Sequence, residues 1–152
     1  AILTRQFSRR SEAVSNEGVS DENISGRNVR SLQKWRLKRV VQYVDENLGA
    51  KITLQDLAGV AGLSRMHFAA QFRAAMGLRP HEYLLKRRIE RAEELLKRAN
   101  VPLVDIALSV GFQTQAHFTT VFKRFAGDTP YQWRSAYFAQ STPLPPVRMA
   151  LS

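Results

Sequence analysis

Two stretches of this chain repeat, at helical spacing, side chains that can bind a base edge or a phosphate. In the first, Arg65, Met66, Ala69, Ala70 and Arg73 share one stripe of a helix whose other side is set by Phe68 and Phe72. In the second the stripe is Gln115, Ala116, Thr119, Thr120 and Lys123, opposite Phe118 and Phe122. An arginine fork matches guanine O6 and N7, a glutamine matches adenine N6 and N7, and small apolar groups touch thymine methyls. On that chemistry Arg65 and Gln115 are the polar base readers, and Met66, Ala69 and Ala116 offer only apolar contact. Thr119 and Thr120 offer a hydroxyl or a methyl. Arg73 and Lys123 lie two turns further along and suit phosphate. So do Ser64 and Thr114, whose hydroxyls and neighbouring backbone N–H groups open the two helices.

Other chemistries find little here. The chain has no cysteine, so there is no disulfide framework, thiolate metal site or thiol nucleophile. His67 and His117 occupy equivalent places in the two stretches without a third well-spaced ligand, which favours phosphate contact or helix-end packing over a metal. No Gly-rich phosphate loop, G-x-S-x-G elbow or H-E-x-x-H helix is present, so neither an enzyme nor a cofactor is expected.

The elements that position these side chains are written in a duplication. Ile52 to Leu63 aligns with Val101 to Phe112, and Ser64 to Tyr83 aligns with Thr114 to Trp133. Leu54/Leu103, Asp56/Asp105, Ala58/Ala107, Gly62/Gly111, His67/His117, Phe68/Phe118, Phe72/Phe122, Gly77/Gly127 and Pro80/Pro130 are identical pairs. In the first copy Thr53 is an N-cap, and a short helix buries Leu54, Leu57, Ala58 and Ala61. Gly62 provides a left-handed exit, and Ser64 caps a second helix that faces Phe68, Phe72 and Met76 inward. Gly77 and Pro80 stop it, as Gly127 and Pro130 do in the second copy. Two helices joined by a short Gly-containing turn form a helix-turn-helix. Between the copies, Pro80 to Ala99 predicts one long helix with Tyr83, Leu84, Ile89, Ala92, Leu95 and Leu96 as its apolar stripe. Twenty residues span ~30 Å, close to the ~34 Å that separates successive major grooves on one face of DNA.

The predicted fold is therefore all-α, two helix-turn-helix units joined by a long central helix. The units occupy about 35–79 and 101–138, with the connecting helix at 80–99, inside a DNA-binding domain of 32–138. Leu37, Val40, Val41, Val44 and Leu48 mark an amphipathic first helix that runs to about Asn47. Residues 1–31 are polar and aperiodic, a flexible linker or N-terminal extension, and residues 139–152 form a Pro-rich tail. Trp35, Tyr131, Trp133 and Tyr137 are expected to pack.

Charge agrees with that layout. Of 23 Lys and Arg against 13 Asp and Glu, residues 1–31 hold five and four, so the excess lies almost wholly in the foldable part. Such a surface attracts a polyanion, most often nucleic acid. Lys86, Arg87, Arg88 and Arg91 also allow a membrane-surface or protein-interaction helix, but Glu90, Glu93 and Glu94 on the same helix argue for a salt-bridged exposed face. No apolar run reaches the ~20 residues of a membrane span, and Arg5, Arg9 and Arg10 break up any secretory signal core.

Residues 35 to about 138 resemble the DNA-binding domain of the AraC/XylS family of bacterial transcription regulators. The second unit carries the signature: Asp105-Ile106-Ala107, Val110-Gly111-Phe112, His117-Phe118, Val121-Phe122-Lys123, Gly127, Thr129-Pro130 and Arg134. The resemblance implies a cytoplasmic sequence-specific regulator, usually an activator, with double-stranded promoter DNA as ligand and RNA polymerase as partner. A small-molecule effector is implied only where a separate N-terminal domain accompanies this one, and residues 1–31 are too few and too polar to form it. The chain is then either a short stand-alone regulator or the C-terminal piece of a longer one. The related fold fused to a DNA-repair methyl acceptor would need a cysteine. Ala69 and Ala70 depart from the polar or basic residues that many members carry there, so direct base reading by the first unit is expected to be sparse.

Overall fold

A computed structural model describes residues 29–141, so most of the expected linker at 1–31 and tail at 139–152 lies outside the described residues. Among the described residues every regular element is helical, in the order α1 (Lys34–Glu46), α2 (Leu54–Ala61), α3 (Arg65–Met76), α4 (Pro80–Leu96), α5 (Leu103–Ser109), α6 (Gln115–Ala126) and α7 (Pro130–Ser141). None of them is long and apolar enough to cross a membrane.

The punctuation works locally as the residue types require. Thr53 accepts from the Asp56 N–H at 3.0 Å while the Asp56 carboxylate accepts from the Thr53 N–H at 2.9 Å, a complete capping box on α2. Its counterpart α5 has Pro102 as the N-cap residue and no side-chain cap, since proline carries no hydroxyl. Gly62 closes α2 at φ 75, and the equivalent Gly111 stands at φ 99. A Cβ on Gly111 would meet the Leu48 carbonyl oxygen at 2.6 Å, so both the backbone conformation and the close approach require glycine.

The described residues form two compact units, one combining 29–46 with Ile52–Tyr83, the other combining Asn47–Lys51 with 84–141. In the first, Val40 and Val44 of α1, Leu57, Ala58 and Ala61 of α2, and Phe68 and Phe72 of α3 are buried. Leu32 is buried too, and its N–H donates to the Gln71 carbonyl at 3.1 Å. Phe68 and Phe72 pack with centroids 5.5 Å apart, and Tyr83 meets Phe72 edge-on at 5.5 Å. The second core gathers Leu85, Ile89, Ala92 and Leu96 of α4, Ile106 and Ala107 of α5, Val110 and Phe112 of the turn, and Phe118, Val121 and Phe122 of α6. Here Phe118, Phe122 and Trp133 form the matching ring series, at 5.6 and 6.3 Å. The duplication in sequence is thus a duplication in packing.

Several expectations need correction. The central helix stops at Leu96, not at 99, and its seventeen residues make about 26 Å. The Arg134 side chain takes the Leu96 carbonyl at 3.0 Å and the Arg98 carbonyl at 2.9 Å, which satisfies the helix end with a side chain instead of another turn. As expected, α4 joins the two units, with Tyr83 in the first core and Leu85 onward in the second. Pro130 does more than stop α6: it opens α7, which continues past residue 139. Leu54 is 38% exposed, since the first residue of a short helix overhangs its packing face. Trp35 and Tyr131 stand 51% and 69% exposed, Trp35 lying under the Arg36 guanidinium, whereas Trp133 and Tyr137 pack in a stack at 5.9 Å.

Candidate nucleic-acid interface

The second helix of each helix-turn-helix carries one candidate face. On α3, Phe68 and Phe72 are fully buried, and this fixes the rotation of the helix about its axis. Arg65, Met66 and Arg73 are then exposed, and Ala69 and Ala70 half-buried between them. On α6, Phe118, Val121 and Phe122 are buried, leaving Gln115, Ala116, Thr120 and Lys123 exposed and Thr119 half-buried. Each unit thus brings its own set of sequence-derived candidates onto one helix.

The helix starts add detail. Ser64 accepts from the His67 N–H at 3.2 Å, and its Oγ stands 2.8 Å from the His67 ring Nδ1. Thr114 accepts from the His117 N–H at 3.0 Å. Both hydroxyls therefore serve as caps, and an anion at these ends is best met by the backbone N–H groups of Arg65 and Met66, or of Gln115 and Ala116. His117 packs edge-on against Phe112 with centroids 5.2 Å apart, a helix-end role. In the first unit Leu63 replaces that ring, and the His67 imidazole pairs with Ser64 instead; burial holds it below the ordinary histidine value. The Thr120 hydroxyl donates to the Ala116 carbonyl at 3.1 Å, so outward it presents a methyl and an oxygen lone pair.

Not all of the positive charge serves this face, which the sequence does not reveal. Arg36 donates to the Ala61 carbonyl at the end of α2. Arg88 holds the loop after α1 through the Leu48 carbonyl at 3.1 Å and the Ala50 carbonyl at 2.8 Å. Burial pushes the guanidinium values of Arg36, Arg88 and Arg134 down from the ordinary one, for Arg36 with help from neighbouring Arg39, yet an arginine keeps its charge. Arg87 pairs with Glu90 and Lys97 with Glu94, as the mixed charges of α4 suggested. Arg65, Arg73 and Lys123 remain exposed on the candidate faces.

Comparison with known proteins puts this arrangement in company. Residues 57–136 match the model of a helix-turn-helix domain family. The probable transcriptional regulator LumQ of Photobacterium leiognathi is 30% identical over 105 residues, covering 69% of this chain and 42% of LumQ. The transcriptional activator AarP of Providencia stuartii is 31% identical over 98 residues, covering 64% of this chain and 73% of AarP. Among solved structures, the DNA-binding domain of the global transcriptional factor AdpA, determined in complex with a target DNA, is 30% identical with a TM-score of 0.66, covering 69% of this chain and 95% of that one. The chain spans 35 to 45% of the length of the first curated relatives it matches.

Proposed function

This chain belongs to the AraC/XylS family of helix-turn-helix regulators, and on that premise we propose that it binds double-stranded promoter DNA and reads its sequence with α3 and α6. The observation that carries the reading is the paired presentation of hydrogen-bonding side chains, Arg65 on α3 and Gln115 on α6, at the capped start of each second helix above a buried phenylalanine pair. A helix in the major groove meets base edges with its first residues. Arg65 takes guanine O6 and N7, and Gln115 takes adenine N6 and N7. Met66, Ala69 and Ala116 contact thymine methyls or sugar. Thr119 and Thr120 complete the second face, and the committed hydroxyl proton of Thr120 restricts it to accepting from a base amino group or covering a methyl. Arg73, Lys123 and the first backbone N–H groups after Ser64 and Thr114 hold phosphates and fix register. With more readers on α6 than on α3, the second half-site carries the larger share of specificity.

In the cytoplasm such a domain recruits or positions RNA polymerase and so acts as an activator, the usual outcome in the family. Control by a small molecule belongs to regulators in which a separate N-terminal domain accompanies this one. The experiment is a titration of duplex DNA and of anionic vesicles at several salt concentrations. DNA binding is expected to weaken on a double-logarithmic plot with a slope of about −0.9 per phosphate contact, and to differ between sequences. Binding to vesicles as tight as to any duplex, with no preference among duplexes, would overturn the reading.

A further inference from the structure

The first unit carries a basic basin of which the reading of α3 and α6 uses only Arg73. Where α3 ends and α4 begins, Arg73, Gly77, Leu78, Arg79 and Glu82 line an open cavity of about 280 Å³. With two guanidinium groups and one carboxylate, the lining has a net positive charge. Gly77 leaves α3 at φ 76, and a Cβ there would meet nothing within 4 Å, so the basin opens freely beside it.

The start of α4 is chemically unusual. The Arg79 carbonyl accepts the first helical bond, from the Tyr83 N–H at 2.9 Å, which makes Arg79 the N-cap residue. In the second copy the same place is held by Thr129, whose hydroxyl accepts from the Gln132 N–H at 3.2 Å and whose own N–H donates to Gln132 Oε1 at 3.2 Å. An arginine side chain has donors only, so Arg79 cannot cap in that way; it adds positive charge where the helix dipole is already positive. The first turn of α4 holds one carboxylate, Glu82, against the two guanidinium groups of the lining, so a net positive charge remains beside the helix start.

We propose that this basin is a phosphate subsite, with Arg73 and Arg79 gripping the nonbridging oxygens of one phosphodiester of the bound DNA strand. This rests on the reading of α3 as a DNA-contacting helix. Arg73 lies eight residues beyond Arg65, an axial rise of about 12 Å, and the major groove is about 12 Å wide. With Arg65 at base edges, the Arg73 end of the helix comes to the phosphate wall of the groove. With Glu82 in the lining, the two guanidinium groups leave one net positive charge, which matches the single negative charge of one phosphodiester.

The test compares the whole chain with Arg79→Ala and Arg79→Lys, each checked for native helix content by circular dichroism, on labelled duplexes of several sequences. Arg79→Ala is expected to weaken all duplexes alike and to shallow the salt slope by ~0.9. The wild-type advantage then shrinks about 3.5-fold between about 50 and about 200 mM salt, and lysine restores part of it. Unchanged affinity and slope overturn the proposal, as does a loss confined to one sequence, which is the mark of a base contact. A second arm titrates inorganic phosphate and follows the His81 and Glu82 amide resonances. Shifts there that vanish in Arg79→Ala identify a general phosphate site, while the duplex effect without them identifies a site completed by the DNA backbone. If the wild type binds no duplex, the DNA reading falls, and the phosphate arm alone decides the basin: no shifts, no subsite.

Discussion

Gly111→Ala and Gly127→Ala test how the second helix-turn-helix aims α6. Both glycines have positive φ, 99 and 90, so an alanine at either incurs backbone strain of about 1–2 kcal/mol. Their surroundings differ. A Cβ on Gly127 meets nothing within 4 Å, whereas one on Gly111 would stand 2.6 Å from the Leu48 carbonyl oxygen, 2.7 Å from Arg88 Cζ and 2.8 Å from Arg88 Nε. The loop backbone at Leu48 must yield, and Arg88 must leave its bonds to the Leu48 and Ala50 carbonyls. Overpacking of this kind adds about 1–3 kcal/mol. Gly111→Ala should therefore cost about 2–5 kcal/mol and Gly127→Ala about 1–2. Urea unfolding followed by far-ultraviolet circular dichroism, with m-values unchanged, reads the difference. In an Arg88→Ala background two of the three close atoms are gone, so the two changes should be less than additive by at least ~0.5 kcal/mol. Equal losses for Gly111→Ala and Gly127→Ala, or strict additivity with Arg88→Ala, would refute the argument that close approach, and not φ alone, demands Gly111.

Further outcomes follow from local features. Gly59 lies exposed within α2 and a Cβ there meets nothing within 4 Å, so Gly59→Ala should stabilise the first unit by up to ~1 kcal/mol through helix propensity; a lower urea midpoint would contradict this. Thr53→Ala breaks the capping box and should cost ~1 kcal/mol, while Pro102→Ala, with no side-chain cap to lose, should not show a capping loss of that size. For His67, the fold favours the neutral ring, so its contribution to stability is complete above the ordinary histidine value of ~6.5 and is lost as pH falls from there through the lowered folded value. Glu93, raised by burial and then by Glu90 and Glu94 against the opposing Lys97, acts in the other direction, losing stability as pH rises through its folded value. Unfolding of wild type and His67→Gln across about pH 7 to 5 should therefore show a shallower acid loss in the variant, and parallel curves would exclude the histidine.

What could be read in the sequence was whatever depends on near neighbours. Thr53, Ser64 and Thr114 cap because their oxygens reach an N–H three residues on, and Gly62 and Gly77 take left-handed conformations that other residues resist. The buried phenylalanines followed from spacing, and with them the exposed stripes of α3 and α6. Partners distant in sequence were not legible. Nothing in the α4 sequence says that Arg88 reaches back to Leu48 or that Arg134 reaches Leu96, so their charges were counted as surface charge when the fold uses them on carbonyl oxygens. Periodicity names a face but not its cover, which is why Leu54 and Tyr131 were expected inside and stand outside. Pro130 illustrates a third limit, since proline both ends one helix and begins another. The basin at Arg79 needed three dimensions to bring Arg73 and Arg79 to one lining.

The claim that matters most is that the exposed stripes of α3 and α6 read base sequence while their far ends hold phosphate. Selection of binding sites from a random duplex pool by the wild type, Gln115→Ala and Lys123→Ala tests it directly. The wild type should enrich a motif, and Gln115→Ala should relax one adenine-containing position at a cost of ~1–3 kcal/mol. Lys123→Ala should leave the motif intact and weaken every sequence alike. No enriched motif, or the same selection profile from both variants, would contradict the account.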